Sequence, residues 1–119
     1  MKTTEAKKRF GLKESTIEKI TGVFAQYPEL EEAVLYGSRA MGNYRNGSDI
    51  DLTLIGDAFT YRQMLRMETQ IDDLLLPYLF DFSLLRHIDN PDVVDHIKRV
   101  GVTFYKSDSV TSVKEKADT

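Results

Sequence analysis

The chain has 119 residues, 41% of them hydrophobic, 10% aromatic and 29% charged, with 16 basic against 19 acidic residues and a net charge of −3. That length holds one ordinary domain, and the composition is that of a folded chain rather than a disordered one. The absence of cysteine excludes a disulfide framework, thiolate zinc sites and a thiol nucleophile, while the acidic balance argues against nucleic acid as a partner. No apolar run approaches the roughly 20 residues that span a bilayer, and Met1 to Phe10 lacks the apolar core of a signal peptide. A cytoplasmic setting without membrane attachment is expected.

Residues 1–14 are polar and basic and read as a flexible segment; residues 107–119, with Val110, Val113 and Ala117 as their only apolar members, read as a flexible tail. The domain is placed at 15–106. Ser15 and Glu18 have the spacing of a capping box, and Ile17, Ile20, Val23, Phe24 and Tyr27 continue at helical spacing until Pro28. Ala33 to Tyr36 is a short apolar run stopped by Gly37, expected to be a buried strand. A Gly- and Ser-containing stretch leads to a second strand over Ile50 to Ile55. Thr60 to Leu76 carries a helical stripe closed by Pro77, and Tyr78 to Leu85 reads as a third strand. Asn90-Pro91 has the form of a cap followed by proline at the first helical position. Val93, Val94, Ile97 and Val100 form the stripe of that last helix, ended by Gly101, and Val102 to Tyr105 forms a last strand. The order helix, strand, strand, helix, strand, helix, strand defines an α/β domain.

The chemistry concentrates in the middle. Asp49 and Asp51 stand two apart at the start of a strand, so their side chains leave the same face. Close carboxylates repel, and a divalent cation is the usual way to hold both ionised; oxygen ligation suits Mg²⁺ or Mn²⁺. Taken alone, an Asp-x-Asp tripeptide is more often a pair of exposed acids. Gly37-Ser38, however, follows the preceding strand directly, where a turn into a short helix exposes backbone N–H groups to an anion. If the two strands pair antiparallel, the cradle and the acids meet at one end of the sheet. The helix from Thr60 makes the third strand parallel to the second, which brings Asp81, set between Phe80 and Phe82, to the same end. A charge within an apolar strand needs a partner, which favours a metal-linked or catalytic role for Asp81.

These residues resemble the nucleotidyltransferase superfamily that shares the catalytic core of DNA polymerase beta, whose signature is Gly-Ser, a short helix, Asp-x-Asp and a third acid on a later strand. Gly37-Ser38, Asp49-Ile50-Asp51 and Asp81 match it in order and spacing. More narrowly, Gly37-Ser38-Arg39-Ala40 with Ser48-Asp49-Ile50-Asp51-Leu52 is similar to the minimal nucleotidyltransferases of bacteria and archaea. The resemblance covers residues 15 to 106 and implies a mixed sheet flanked by helices. It implies that Asp49, Asp51 and Asp81 are catalytic and bind two Mg²⁺ ions, that Gly37, Ser38, Arg39 and Ser48 bind the nucleotide, and that AMP passes from ATP to a hydroxyl. Asp81 would accept the proton of that hydroxyl. Related enzymes often carry a basic residue three positions after the Ser; here Met41 stands there, and Arg39 or Arg45 is left to supply the charge.

Minimal members typically pair with a separate all-helical protein of the HEPN type, encoded nearby, as the antitoxin of a toxin–antitoxin pair, and modify its tyrosine with AMP. The resemblance therefore implies ATP and such a protein as partners, and a hetero- or homo-oligomer. The length leaves no room beside the core for an acceptor domain. Two other readings stay open: a non-catalytic antitoxin or scaffold that works by binding, and nucleotidyl transfer to a small molecule. His87 and His96 lack metal-pair spacing and read as surface or core-edge residues. Asp72 and Asp73 read as solvated helix residues, Tyr36 as strand packing, and Tyr44 either as a neighbour of the nucleotide or as a cover for the loop.

Overall fold

The computed structural model describes residues 8–107. A short hairpin of β1 (Lys8–Arg9) and β2 (Leu12–Lys13) precedes α1 (Glu14–Phe24), then come β3 (Glu32–Tyr36), α2 (Ser38–Met41), β4 (Ile50–Ile55), α3 (Tyr61–Asp72), β5 (Phe80–Leu84), a 3₁₀ turn over Leu85–His87, α4 (Pro91–Val100) and β6 (Val102–Lys106). Strands β3 to β6 form one sheet in the order β5-β4-β3-β6, antiparallel on both sides of β3 and parallel between β4 and β5. The mixed α/β architecture expected from the sequence is the one present.

The two-residue alternation of the strands divides the sheet into two unlike faces. Ala33 and Leu35 of β3, Ile50, Leu52 and Leu54 of β4, and Phe82 and Leu84 of β5 enter one core with Ile17, Ile20 and Phe24 of α1 and Met64, Met67 and Ile71 of α3. Residues between them in sequence, Tyr36, Asp51, Thr53, Asp81 and Ser83, belong to the opposite face. There α4 packs against β3, with Ile97 buried and the Tyr36 ring edge-on to His96 at 6.2 Å between centroids.

Three expectations need correction. Residues 8–13, placed in a flexible N-terminal segment, are a hairpin whose Phe10-Gly11 turn has positive φ at both residues, and Leu12 is fully buried. A single buried leucine in a basic stretch carries no periodicity, which is why composition missed it; residues 1–7 and the tail 108–119 lie outside the described residues. The capping box at Ser15 and Glu18 does not form. Lys13 is still paired with Lys8 in the hairpin, so the chain enters α1 straight from β2, and Ser15 falls inside the first turn. An Arg9–Glu14 ion pair of 2.7 Å ties the hairpin to the helix start instead.

The helix expected to reach Leu76 ends at Asp72, and Leu75 adopts a positive φ of 57° with its side chain exposed. The Leu74–Leu76 run continued the apolar pattern, but Pro77 disfavours helical geometry at the residue before it, so the last turn unwinds. Its start was read correctly: Thr60 accepts from the Gln63 amide at 3.1 Å, and the Gln63 side chain accepts from the Thr60 amide at 2.9 Å. Asn90 likewise caps α4, accepting from the Asp92 amide, with Pro91 at the first position. No helix among the described residues is long and apolar enough to cross a membrane.

Candidate active site

Strand register assembles the site. Tyr36, the last residue of β3, is paired with Asp51 of β4, and Asp51 is in turn paired with Asp81 of β5. The antiparallel and parallel pairings anticipated from the sequence are both present, so the turn that leaves β3 and the acids that open β4 and β5 share one end of the sheet. Gly37 occupies that turn with φ 77° and ψ −156°. A Cβ there would collide with the Asp51 carboxylate, so only glycine permits this approach. Ser38 opens the four-residue α2, whose first amides have no intrahelical acceptor.

The acids differ in setting. Asp49 and Asp81 are exposed, whereas Asp51 is half-buried. Burial raises the Asp51 carboxyl above the ordinary carboxylate range, with Asp81 and then Asp49 adding to the rise and His96 opposing it. Asp81, read as a charge within an apolar strand, is exposed: β5 is an edge strand, and Phe80 and Phe82 stack on its core side while Asp81 leaves by the open side. What gives Asp81 its importance is position beside Asp51, not desolvation. Among the described residues no group of three acids, histidines or cysteines is closed tightly enough to form a ready-made metal cage. The donors nevertheless suit a hard divalent ion that brings its own waters and substrate oxygens. Asp51 and Asp81 are carboxylates on one face, and Asp51 is penalised first by burial and then by its acidic neighbours, a penalty that a cation relieves.

Arg39 has a different task from the one expected. Its side chain is 3% exposed and inserts between the rings of Tyr44 and Tyr78, 5.2 Å and 5.1 Å from their centroids. Nε and Nη2 donate to the Ser48 carbonyl at 3.1 Å and 2.9 Å, and Nη1 donates to the Phe10 carbonyl at 2.8 Å. It is a buried clamp that joins the hairpin, α2 and the loop before Asp49, and its donors face backbone carbonyls rather than a phosphate. Tyr44 thereby covers the loop through Arg39. The Ser48 hydroxyl accepts from the Arg45 amide at 2.8 Å, which closes the turn over Arg45–Ser48. Met41 is exposed and supplies no charge.

Four residues on the open face were not read as part of the site. The Tyr36 hydroxyl is hydrogen-bonded to the Ser83 side chain. Burial raises its pKa above the usual phenol value; the hydrogen bond opposes the rise, and Asp81 and Asp51 add to it. Ser83 Oγ donates to Thr53 Oγ1 at 3.0 Å, and His96 stands over Tyr36. Thr53 and Ser83 each follow a site aspartate by two positions, so strand alternation was the signal that could have found them. His96 carried no such signal, because its position depends on how α4 crosses β3.

A mixed sheet with Gly-Ser at the exit of one strand and acids opening the next two defines a nucleotidyltransferase-type α/β domain. The family model described as polymerase beta, nucleotidyltransferase, matches residues 18–110, and the chain belongs to that family. A comparison with curated proteins gave no match. Among solved structures, the fold is similar to that in a crystal structure of a toxin–antitoxin with AMP-PNP, with 20% identity and a TM-score of 0.61 over 85% of this chain and 84% of that one. It is similar to a mutant of the toxin–antitoxin MntA-HpeT at 17% identity and TM-score 0.59, over 85% and 84% of the two chains. A third likeness is to a tri-AMPylated Shewanella oneidensis HEPN toxin in complex with MNT antitoxin, at 16% identity and TM-score 0.57, over 83% and 76%. At these identities the likeness is one of fold.

Two outcomes follow from the site's geometry. Arg39→Gln should cost about 2–4 kcal/mol in urea denaturation, because it strands the part-buried Phe10 and Ser48 carbonyls, without a loss of any ATP binding by the folded fraction. Unchanged stability with weakened ATP binding would instead make Arg39 a phosphate ligand. Since Asp51 holds its proton more tightly folded than unfolded, its ionisation lowers folding stability as pH rises through the carboxylate range. Asp51→Asn should therefore raise the metal-free Tm near neutral pH, with the gain shrinking as pH falls through the raised folded-state value and gone below about pH 4, the ordinary carboxylate value of the unfolded chain. A variant that melts below the native protein at neutral pH contradicts that assignment.

Proposed function

We propose that the chain transfers AMP from ATP to a hydroxyl, a tyrosine of a HEPN-type partner protein, and that it acts in this way as the antitoxin of a toxin–antitoxin pair. The observation that carries the reading is the alignment of Tyr36, Asp51 and Asp81 across three strands at the end of the sheet where Gly37-Ser38 turns into α2. Membership of the polymerase beta nucleotidyltransferase family supports the reaction class. The solved antitoxin complexes of like fold support the kind of acceptor.

In this reading Asp49, Asp51 and Asp81 hold Mg²⁺, which when bound neutralises developing negative charge on the phosphate oxygens. The Gly37 turn and the Ser38 hydroxyl, at the start of α2, cradle the phosphates of ATP, and the Ser48 turn shapes the wall of that cradle. Asp81, exposed at the sheet edge, faces an incoming acceptor and takes the proton of its hydroxyl. The acceptor oxygen forms a bond to the α-phosphorus as the α–β phosphoanhydride bond breaks, and pyrophosphate leaves with the electron pair. Position matters more than acidity here, because a carboxylate within hydrogen-bond reach of the hydroxyl suffices as base.

The test is incubation of the protein with α-labelled ATP, Mg²⁺ and the HEPN-type protein encoded beside it. Label should pass to a tyrosine of that protein, and Asp81→Asn should reduce the rate by about 100-fold or more with the circular dichroism spectrum unchanged. A native sample that neutralises the partner without transferring label would make the protein a binding antitoxin instead.

A further inference from the structure

The open face accounts for the nucleotide but not for what brings the acceptor to Asp81. Beside that face, along the free edge of β5, two adjoining hollows of about 440 Å³ and 310 Å³ form one trough between β5 and α3. Both are lined by Glu68 and Phe82; one extends to Asp72 and Phe80, at the end where β5 begins, and the other extends to Tyr61. The α3 wall is a single stripe, since Tyr61, Leu65, Glu68 and Asp72 follow one another at spacings of four, three and four residues. Tyr61 and Leu65 are 54% and 45% exposed, unusual for large apolar side chains on a helix whose other face is core.

The stripe is polarised along its length. Its apolar half lies away from the catalytic end and its acidic half lies toward it. The Glu68 and Asp72 carboxylates make no ion pair or hydrogen bond among the described residues. Burial pushes the Glu68 carboxyl up, with Asp72 and then Asp81 adding to the rise, so the acidic half of the trough and the catalytic end share one negative field. A cation placed between Glu68 and Asp72 relieves that repulsion, and an acidic or phosphorylated partner is repelled from it.

We propose that this trough docks the acceptor protein through a basic, amphipathic segment, with apolar side chains against Tyr61 and Leu65 and Lys or Arg side chains against Glu68 and Asp72, so that its hydroxyl arrives beside Asp81. The inference deepens the transferase reading and rests on it for the identity of the acceptor. It adds a recognition surface outside the residues that hold nucleotide or metal. Charge sets the register of docking and the apolar pair supplies burial.

The experiment measures binding separately from chemistry. Affinity of the HEPN-type protein encoded beside this chain is determined by titration calorimetry without ATP, and AMP transfer to it is measured in parallel. Glu68→Lys with Asp72→Lys should weaken binding at least about tenfold and raise the KM for the protein acceptor while kcat stays within about twofold. Glu18→Lys with Asp57→Lys, exposed acids elsewhere with the same change in net charge, should leave both unchanged. Leu65→Glu should weaken binding without altering ATP affinity. Native-like binding by the Glu68/Asp72 variant, equal weakening by the control, or a failure of the wild-type chain to bind overturns the proposal, as does a homodimer that Leu65→Glu disrupts. If the reversal abolishes binding but the wild type transfers no AMP, the transferase reading fails and the trough stands as a docking surface. Transfer that is indifferent to the reversal has the opposite meaning.

Discussion

The structure depends on a conflict of charge that the sheet imposes. Pairing Asp51 with Asp81 in parallel register sets two carboxylates on neighbouring strands, with Asp49 two positions before Asp51. Nothing in the hydrophobic core requires this. Ile50, Leu52, Leu54, Phe82 and Leu84 would pack as well with neutral residues between them. Strand alternation makes the arrangement possible, because every residue facing the core has a neighbour facing away, and one face can carry chemistry while the other carries stability. The Asp51 carboxyl is raised first by burial and then by Asp81 and Asp49, so its charge is held at a cost in the metal-free site. Stability given up at such a place is characteristic of a functional site.

The elements around that conflict hold it in place. Gly37 lets the backbone pass so close to the Asp51 carboxylate that no side chain fits. Arg39, buried between two tyrosines and bonded to carbonyls of the hairpin and of the pre-β4 loop, fixes the loop that delivers Asp49. Replacement by lysine would not preserve this clamp, because a planar fork is needed to engage two carbonyls while stacking on two rings. On the open face, Tyr36, Ser83 and Thr53 form a hydrogen-bonded row beside the acids, and α4 closes that row with His96. The arrangement is set by the strands and open at the β5 edge.

Much of this was legible in the residues. Short apolar runs and period-3.6 stripes located the sheet strands and the three longer helices; the crossover helix implied the parallel pairing of β4 with β5, and the antiparallel pairing on which the shared end depended is the one present. Asp51, Asp81, Gly37 and Ser38 could be assigned to one end of the sheet because their spacing has consequences for direction and face. Arg39 was misread because an arginine next to a Gly-Ser turn is chemically equally suited to a phosphate and to backbone carbonyls, and only tertiary placement decides between them. The Leu12 hairpin and the contact of His96 with Tyr36 depend on packing between elements distant in sequence, which no local pattern encodes. The exposure of Asp81 depended on β5 being an edge strand, a property of sheet order rather than of the strand's own residues.

The central claim is that Asp51 and Asp81 act together as one cation-dependent centre. Its most direct test is titration of Mn²⁺ into the protein with a non-hydrolysable ATP analogue, followed by electron paramagnetic resonance. The account predicts that the analogue strengthens Mn²⁺ binding by the native chain, and that Asp51→Asn and Asp81→Asn each weaken it while the fold is retained. Mn²⁺ binding of native strength in both variants would contradict it.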